Sequence, residues 1–218
     1  EIEAVTGVQT CALPISLAAA LAQMQRLRRE APDGPLQVRA AKIETSLREL
    51  ARLSEKLMQL AKAEGGGLLS EAPQDLIPLL AHVAEELNAT AGQRIHLTLP
   101  AEGDVLSTID PDAFAILLRN LIENALKHGA PDQPVEVSLS SQALLTVVNA
   151  GSTVPAQVLE RLTERFVRGN SEANGSGLGL AIAQTIVRGV EATMSLASPA
   201  TDKQDGFEVR VQFVLARP

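Results

Sequence analysis

The sequence predicts an α+β protein: a two-layer α/β sandwich preceded by an antiparallel helical hairpin. Three observations carry this. Residues 17–64 hold two helical patterns joined by the turn APDGP (Ala31 to Pro35). After the flexible joint GGG (Gly65 to Gly67), helical patterns mix with alternating, antiparallel-type strand patterns. Hydrophobic residues make up 45% of the 218 residues, enough for a packed core, and with no Trp or Tyr and only four Phe that core is built of Leu, Val, Ile and Ala.

Residues 1–16 (EIEAVTGVQTCALPIS) show no clear helical period, and Pro14 is expected to interrupt one. They read as a disordered or foreign leader, and VTGVQTCALPIS resembles translated sequencing-adapter read-through. From Leu17 to Arg29 the pattern is helical, with Leu17, Leu21 and Met24 on one face. A second helix is expected from about Gln37 to Ala63. Its residues Ile43, Leu47, Leu50, Ser54, Leu57 and Ala61 form a heptad-like seam. One hairpin buries such a seam poorly, whereas a four-helix bundle of two copies buries it well, so a homodimer through the hairpin is expected. Residues 65–73 read as a linker.

In the following segment Asp75 to Ala91 is helical, Arg94 to Pro100 alternates like a strand, and Val105 to Ile109 forms a short strand. Asp110 or Asp112 caps a long helix from Pro111 to His128, with Pro111 suited to its first turn. VEVSLS and LLTVVNA read as a strand hairpin, residues 152–174 as irregular, Gly177 to Val187 as a helix, and TMSLAS and FEVRVQFVL as closing strands.

The net charge of −7 excludes a general nucleic-acid binder. A single cysteine forms no intrachain disulfide and no Cys/His cluster has zinc spacing, which fits a reducing, cytoplasmic setting. No apolar run reaches the eighteen or so residues that span a bilayer.

On the helix from Pro111, Asn120, Asn124, Lys127 and His128 share one face. Amide oxygens suit Mg2+, and Lys127 offers a point charge to phosphates. A solvated polar face is the plain alternative for these four residues. In GSGLGL, Gly175, Gly177 and Gly179 let a backbone approach a bulky anion, and the following helix presents free N–H groups. No P-loop sequence is present. A dinucleotide fingerprint does not fit, because the third glycine comes one residue early after a polar, irregular segment.

RNLIENALKH, VVNAGSTV, LTERFVRGN and GSGLGLAIA resemble, in the family's order, the N, G1, F and G2 boxes of sensor histidine kinases. ELARLSEKLMQLAKAE resembles the same family's dimerisation and phosphotransfer hairpin. The resemblance covers roughly residues 17–215 and implies the ATP-binding sandwich of the GHKL superfamily over residues 74–218, with a mobile lid between Gly151 and Gly177. It implies that Asn124 holds Mg2+, that Asn120 supports metal and phosphate, and that Lys127 and His128 contact phosphate or ribose. Gly175, Gly177, Leu178 and Gly179 would cradle the phosphates of ATP, Phe166 and Arg168 would anchor the lid, and Asn149 with Gly151 would meet the adenine. It also implies a response-regulator receiver domain as partner, and a parent protein attached to the membrane through a region not in this chain.

The chain departs from the family's pattern in the G1 box and at the acceptor segment, and it differs from gyrase-like relatives at Asn120. Asn149 and Thr153 replace the aspartate and second glycine of the G1 box. Asn120 stands where gyrase-like relatives carry the hydrolytic glutamate, and Glu123 points about 100° away from Asn124, so phosphoryl transfer is expected rather than hydrolysis. Cys11 and Ala12 fall where the family has its acceptor histidine and the acid after it. His82, His96 and His128 do not replace that histidine. ATP binding without self-phosphorylation is therefore expected. The alternative readings are a nucleotide-binding pseudokinase scaffold and, less compatible with the hairpin, a serine kinase of the anti-sigma-factor type.

Overall fold

The computed structural model describes residues 3–30, 34–167 and 176–216, with side chains from Ser16 onward. The chain divides into two compact units at Ala61/Lys62. The first is the hairpin of α1 (Glu3–Glu30) and α2 (Pro35–Glu64). The break expected at Pro14 is absent: α1 runs through it, and the leader is helical from Glu3. A proline costs a helix one hydrogen bond and a steric contact, which kinks a helix as readily as it ends one.

Within the hairpin, Glu44 is 2% exposed, and its carboxylate accepts from Arg28 Nη1 at 2.8 Å and from Arg48. A buried carboxylate is tolerated only when paired in this way. The expected seam on α2 splits. Leu47 and Ser54 are half-buried, while Ile43, Leu50 and Leu57 remain exposed at seven-residue steps.

The second unit is the α/β sandwich that the sequence predicts. β1 (Leu69–Asp75) pairs antiparallel with β3 (Leu106–Ile109). Residues 69–73, expected as linker, are therefore strand. The main sheet has the order β2-β4-β5-β7-β6, built from β2 (Ile95–Thr98), β4 (Val135–Leu139), β5 (Leu144–Asn149), β6 (Thr193–Ala197) and β7 (Phe207–Gln212). One pairing corrects the antiparallel expectation: β2 and β4 run parallel. The chain between them crosses over through β3 and a helix, which returns it in the same direction.

Alternation gives the sheet one apolar face. Val135, Val137 and Leu139 on β4, Leu145 and Val147 on β5, and Phe207, Val209 and Val211 on β7 are buried. Helices α3 (Leu76–Thr90), α4 (Pro111–His128) and α6 (Gly179–Gly189) supply the second layer, and α5 (Ala156–Leu159) is a single turn. On α4 the buried stripe is Phe114, Leu117, Leu118, Leu121, Ile122 and Ala125. Phe114 meets Phe213 edge to face at 5.6 Å. Asp110 accepts from Ala113 N at 3.0 Å and Pro111 opens the first turn, as the sequence predicts. Asn88 takes both backbone groups of Ile95, at 3.0 and 3.1 Å, and so occupies the outer edge of β2.

Asp75 joins two parts of this unit, because its Oδ1 accepts from Ile77 N, capping α3, and from Val105 N, both at 3.1 Å. Asp75→Ala should lower stability by about 1–2 kcal/mol, read as a lower urea midpoint of this unit with unchanged slope. Glu208 gives a pH test. Burial raises its pKa, but Thr201, through its backbone amide and its hydroxyl, and Arg210 outweigh that and hold it below 4.5. A depressed carboxylate pKa stabilises above the unfolded value, and the stabilisation is lost as pH falls through the folded one. Glu208→Gln should therefore be destabilised at neutral pH, with the gap from the unaltered chain closing on acidification below pH 4.5.

Candidate nucleotide site

The two segments singled out in the sequence meet where α4 crosses the start of α6. Asn120 is 1% exposed. Its Nδ2 donates to Ile116 O at 2.7 Å, and its Oδ1 lies 3.5 Å from where a Cβ on Gly179 would sit. The start of α6 thus packs directly beside this amide, at a distance where a Cβ would make ordinary van der Waals contact. Leu178, the residue capping α6, is fully buried and makes no side-chain cap, so among the described residues the N–H groups of the first turn are left without a capping side chain. Farther along α4, Asn124 is half-buried while Lys127 and His128 are exposed. The face predicted from spacing is therefore graded, with Asn120 built into the packing and Asn124 the more open amide. From Asn120 to His128 the row extends roughly 12 Å, at 1.5 Å per residue.

The far end of that row abuts the end of β5. Parity places Asn149 on the core face after Leu145 and Val147, and it is 3% exposed. Its Nδ2 donates to Ala150 O at 3.1 Å, leaving Oδ1 buried without a hydrogen-bond partner among the described residues. Buried acceptors are nearly always paired, so an orphan here points to a missing ligand or water. Ala150 O also accepts from Ala130 N at 2.9 Å, which ties this strand end to the chain just after α4. Gly129 packs so closely that an added Cβ would lie 3.0 Å from that of Asn149. Gly151 takes φ +142°, which favours glycine, and accepts from Gly206 N at 2.8 Å.

Phe166 and Gly177 come together through backbone. Phe166 N donates to Gly177 O at 3.0 Å, and a Cβ on Gly177 would lie 2.9 Å from Phe166. Phe166 sits in the left-handed region at φ +64° with its side chain 63% exposed. Arg168 and Gly175 lie outside the described residues, as do the side chains of Cys11 and Ala12.

Although His128 is exposed as a whole, partial desolvation and then Lys127 beside it lower the pKa of its imidazole. Glu123 is exposed and faces α3, where it lines an open hollow of about 360 Å³ with Leu87, Thr90, Ala91, Arg94, Leu126 and Lys127. A larger hollow of about 400 Å³ between α3 and β2 shares no residue with the α4–α6 groove. Among the described residues, no group of three or more His, Cys, Asp or Glu could hold a metal ion, and no helix is long and apolar enough to cross a membrane.

The residues brought together here are thus the start of α6, whose capping residue makes no side-chain cap, the amide-bearing row of α4, and the buried Oδ1 of Asn149. Sequence reading named Asn149 and Gly151 but neither Gly129 nor Gly206, whose closeness to Asn149 comes from tertiary pairing; the turn-forming run before Gly206 was the one signal present.

Residues 109–217 match the family described as histidine kinase-, DNA gyrase B-, and HSP90-like ATPase. The swarming motility regulation sensor protein RssA of Serratia marcescens is 30% identical over 198 residues, covering 88% of this chain and 42% of that protein. The signal transduction histidine-protein kinase BaeS of Escherichia coli K12 is 31% identical over 188 residues, covering 81% and 39%. The chain thus spans about two fifths of the length of these relatives. Among solved structures, full-length ShkA in complex with AMPPNP matches with TM-score 0.70 at 19% identity, covering 96% of this chain and 46% of that one. The mycobacterial sensor histidine kinase MprB matches with TM-score 0.54 at 23% identity, covering 64% and 93%. At these identities the structural likeness speaks for the fold.

Asn149→Ala should weaken ATP binding by at least several-fold, about what one lost hydrogen bond is worth. Titration calorimetry would measure it, and unchanged affinity would remove Asn149 from the site.

Proposed function

The chain belongs to the histidine kinase-, DNA gyrase B-, and HSP90-like ATPase family as a segment of a sensor histidine kinase, and from that premise we propose that it binds Mg-ATP and transfers the γ-phosphoryl group to a histidine. The observation that carries the reading is the buried, unpartnered Oδ1 of Asn149, at the end of the amide row that leads along α4 to the uncapped start of α6. Adenine supplies an amino donor for that acceptor.

In this reading the phosphates lie at the start of α6, against Gly175, Gly177, Leu178 and Gly179. Lys127 and His128 contact phosphate or ribose. Asn124 gives its amide oxygen to Mg2+, which suits a hard cation that keeps several waters and shares phosphate oxygens. Asn120 acts from behind, since its amide is already engaged with Ile116 and packed on Gly179. The ion supplies charge neutralisation for the phosphates. Phe166 and Arg168 anchor a lid over the site.

The acceptor nitrogen attacks the γ-phosphorus, the bond to the β,γ-bridging oxygen breaks, and ADP leaves as the N–P bond forms. Hydrolysis is disfavoured because the position one turn before Asn124 is Asn120, with no carboxylate to activate water. Transfer here is mainly a matter of positioning and charge stabilisation.

The exposed Ile43, Leu50 and Leu57 on α2 support a homodimer through the hairpin, completed as a four-helix bundle. A response-regulator receiver domain would then take the phosphoryl group onto an aspartate. Sensing and membrane attachment are assigned to other parts of a longer parent protein, with this segment on the cytoplasmic side. No histidine occurs within residues 1–64. The chain is therefore a donor without its own acceptor, and the second reading, a nucleotide-binding pseudokinase scaffold, rests on the same fact.

Incubation with ATP labelled at the γ-phosphate and Mg2+ should leave the chain unlabelled. A version whose leader is replaced by a standard acceptor-histidine segment should take up label. Label on the unaltered chain would refute the missing acceptor, and no label on the second would favour the pseudokinase.

A further inference from the structure

The segment that carries Asn149 is held from two sides. On one side is the end of α4, through Ala130 N to Ala150 O. On the other is the β6–β7 loop, residues 198–206, remote in sequence and absent from the motifs described above. Its pivot is Ser198. The Ser198 hydroxyl accepts from Val154 N at 2.8 Å and donates its one proton to Gly206 O at 2.7 Å. Gly206 N in turn donates to Gly151 O at 2.8 Å. Gly206 has φ +86°, and a Cβ there would lie 2.5 Å from Asn149 O, so the loop sits directly against the strand end. The loop itself is braced: Ala200 N donates to Asp205 O and Lys203 N to Ala200 O, each at 3.0 Å, and Thr201 N donates to the buried Glu208 carboxylate at 2.6 Å.

A single hydroxyl thus closes a ring that runs from Asn149 through Gly151 to Val154, across to Ser198, and back through Gly206. The ring passes beside the end of the α4 row, where a Cβ on Gly151 would lie 3.4 Å from His128 O. We propose that Ser198 is a positioning residue for recognition of the nucleotide base: by tying Val154 to Gly206 it fixes the direction in which Asn149 Oδ1 is presented. It thereby selects bases that carry an exocyclic amino group. This rests on the reading that Asn149 meets the base. A threonine can replace the serine, because it offers the same donor and acceptor. Alanine leaves Val154 N–H and Gly206 O without their partner and lets the segment swing.

The test compares two Mg-bound triphosphates by titration calorimetry on the full chain: ATP, and purine riboside triphosphate, which lacks the 6-amino group. The unaltered chain should prefer ATP. Ser198→Ala should lose about five-fold of its ATP affinity, as for one ordinary hydrogen bond, and leave the purine analogue nearly unchanged. Ser198→Thr should restore the preference. A folded Ser198→Ala variant that keeps the full preference overturns the role of Ser198 and leaves Asn149 in place. If the unaltered chain shows no preference, the base reading of Asn149 fails and this inference fails with it. Should Ser198→Ala not fold, amide exchange in the unaltered chain decides: exchange at Val154 and Gly206 should slow with Mg-ATP and less so with the purine analogue, and equal effects of the two would overturn the proposal.

Discussion

Helix α4 has two obligations that do not coincide, and the sandwich is arranged around meeting both. Phe114, Leu117, Leu118, Leu121, Ile122 and Ala125 must leave water, which requires the apolar face of the sheet beneath them. Asn120 is drawn into the same burial, where an unsatisfied amide would cost about 1–3 kcal/mol. Its nitrogen is satisfied within the helix, at Ile116 O, so only the oxygen has to be accommodated outside. The start of α6 packs beside it, a Cβ on Gly179 coming to 3.5 Å from that oxygen. The start of α6 is thereby placed beside Asn120, and from there α4 carries Asn124, Lys127 and His128 toward the end of β5, where Gly129 packs on Asn149. The placing of these residues is a consequence of how the core packs.

At the other end of the row, strand parity performs the equivalent task. A strand that buries Leu145 and Val147 also buries its next alternate residue, and here that residue is Asn149. An apolar side chain would satisfy packing better. The amide keeps one acceptor with nothing to bind it, and Phe166 is held in a left-handed conformation that typically costs about 1–3 kcal/mol. Both departures from best packing fall on residues proposed to meet the nucleotide or to anchor its lid, and functional sites are where such costs collect.

Much of this was legible in the sequence because it is set locally. The Asp110–Pro111 start of α4, the β4–β5 hairpin and the glycine-led start of α6 follow from caps, alternation and turn residues. What was not legible is set by distant partners. LSEAPQD has neither alternation nor β-branched residues, and it becomes β1 because β3 is there to pair with it. The parallel β2–β4 pairing depends on the crossover between them. Pro14 marked a helix end that α1 does not have, since a proline signal gives a cost and not a stop. Of the site, spacing found the α4 row and the glycines of α6. Ser198 and Gly206 could not be found this way, because nothing within a few residues of either indicates Val154 or Gly151.

The same reasoning bears on chemistry. A site that hydrolyses ATP needs a carboxylate aimed at a water near the γ-phosphorus, and α4 has one acid, Glu123, in this stretch. It could serve only if helix geometry allowed it to share a direction with Asn124, yet adjacent residues diverge by about 100°. The structure shows where that leads: Glu123 faces α3 and lines a hollow with Leu87, Thr90 and Ala91. Moving it toward the groove would mean rotating α4, which would pull Phe114 and Leu117 off the sheet and Asn120 off Gly179. The packing that seats α4 therefore also fixes the direction of the one acid in this stretch, beside Lys127 one turn on. In the proposed transfer the γ-phosphoryl group would then react with the histidine nitrogen rather than with a water activated by Glu123.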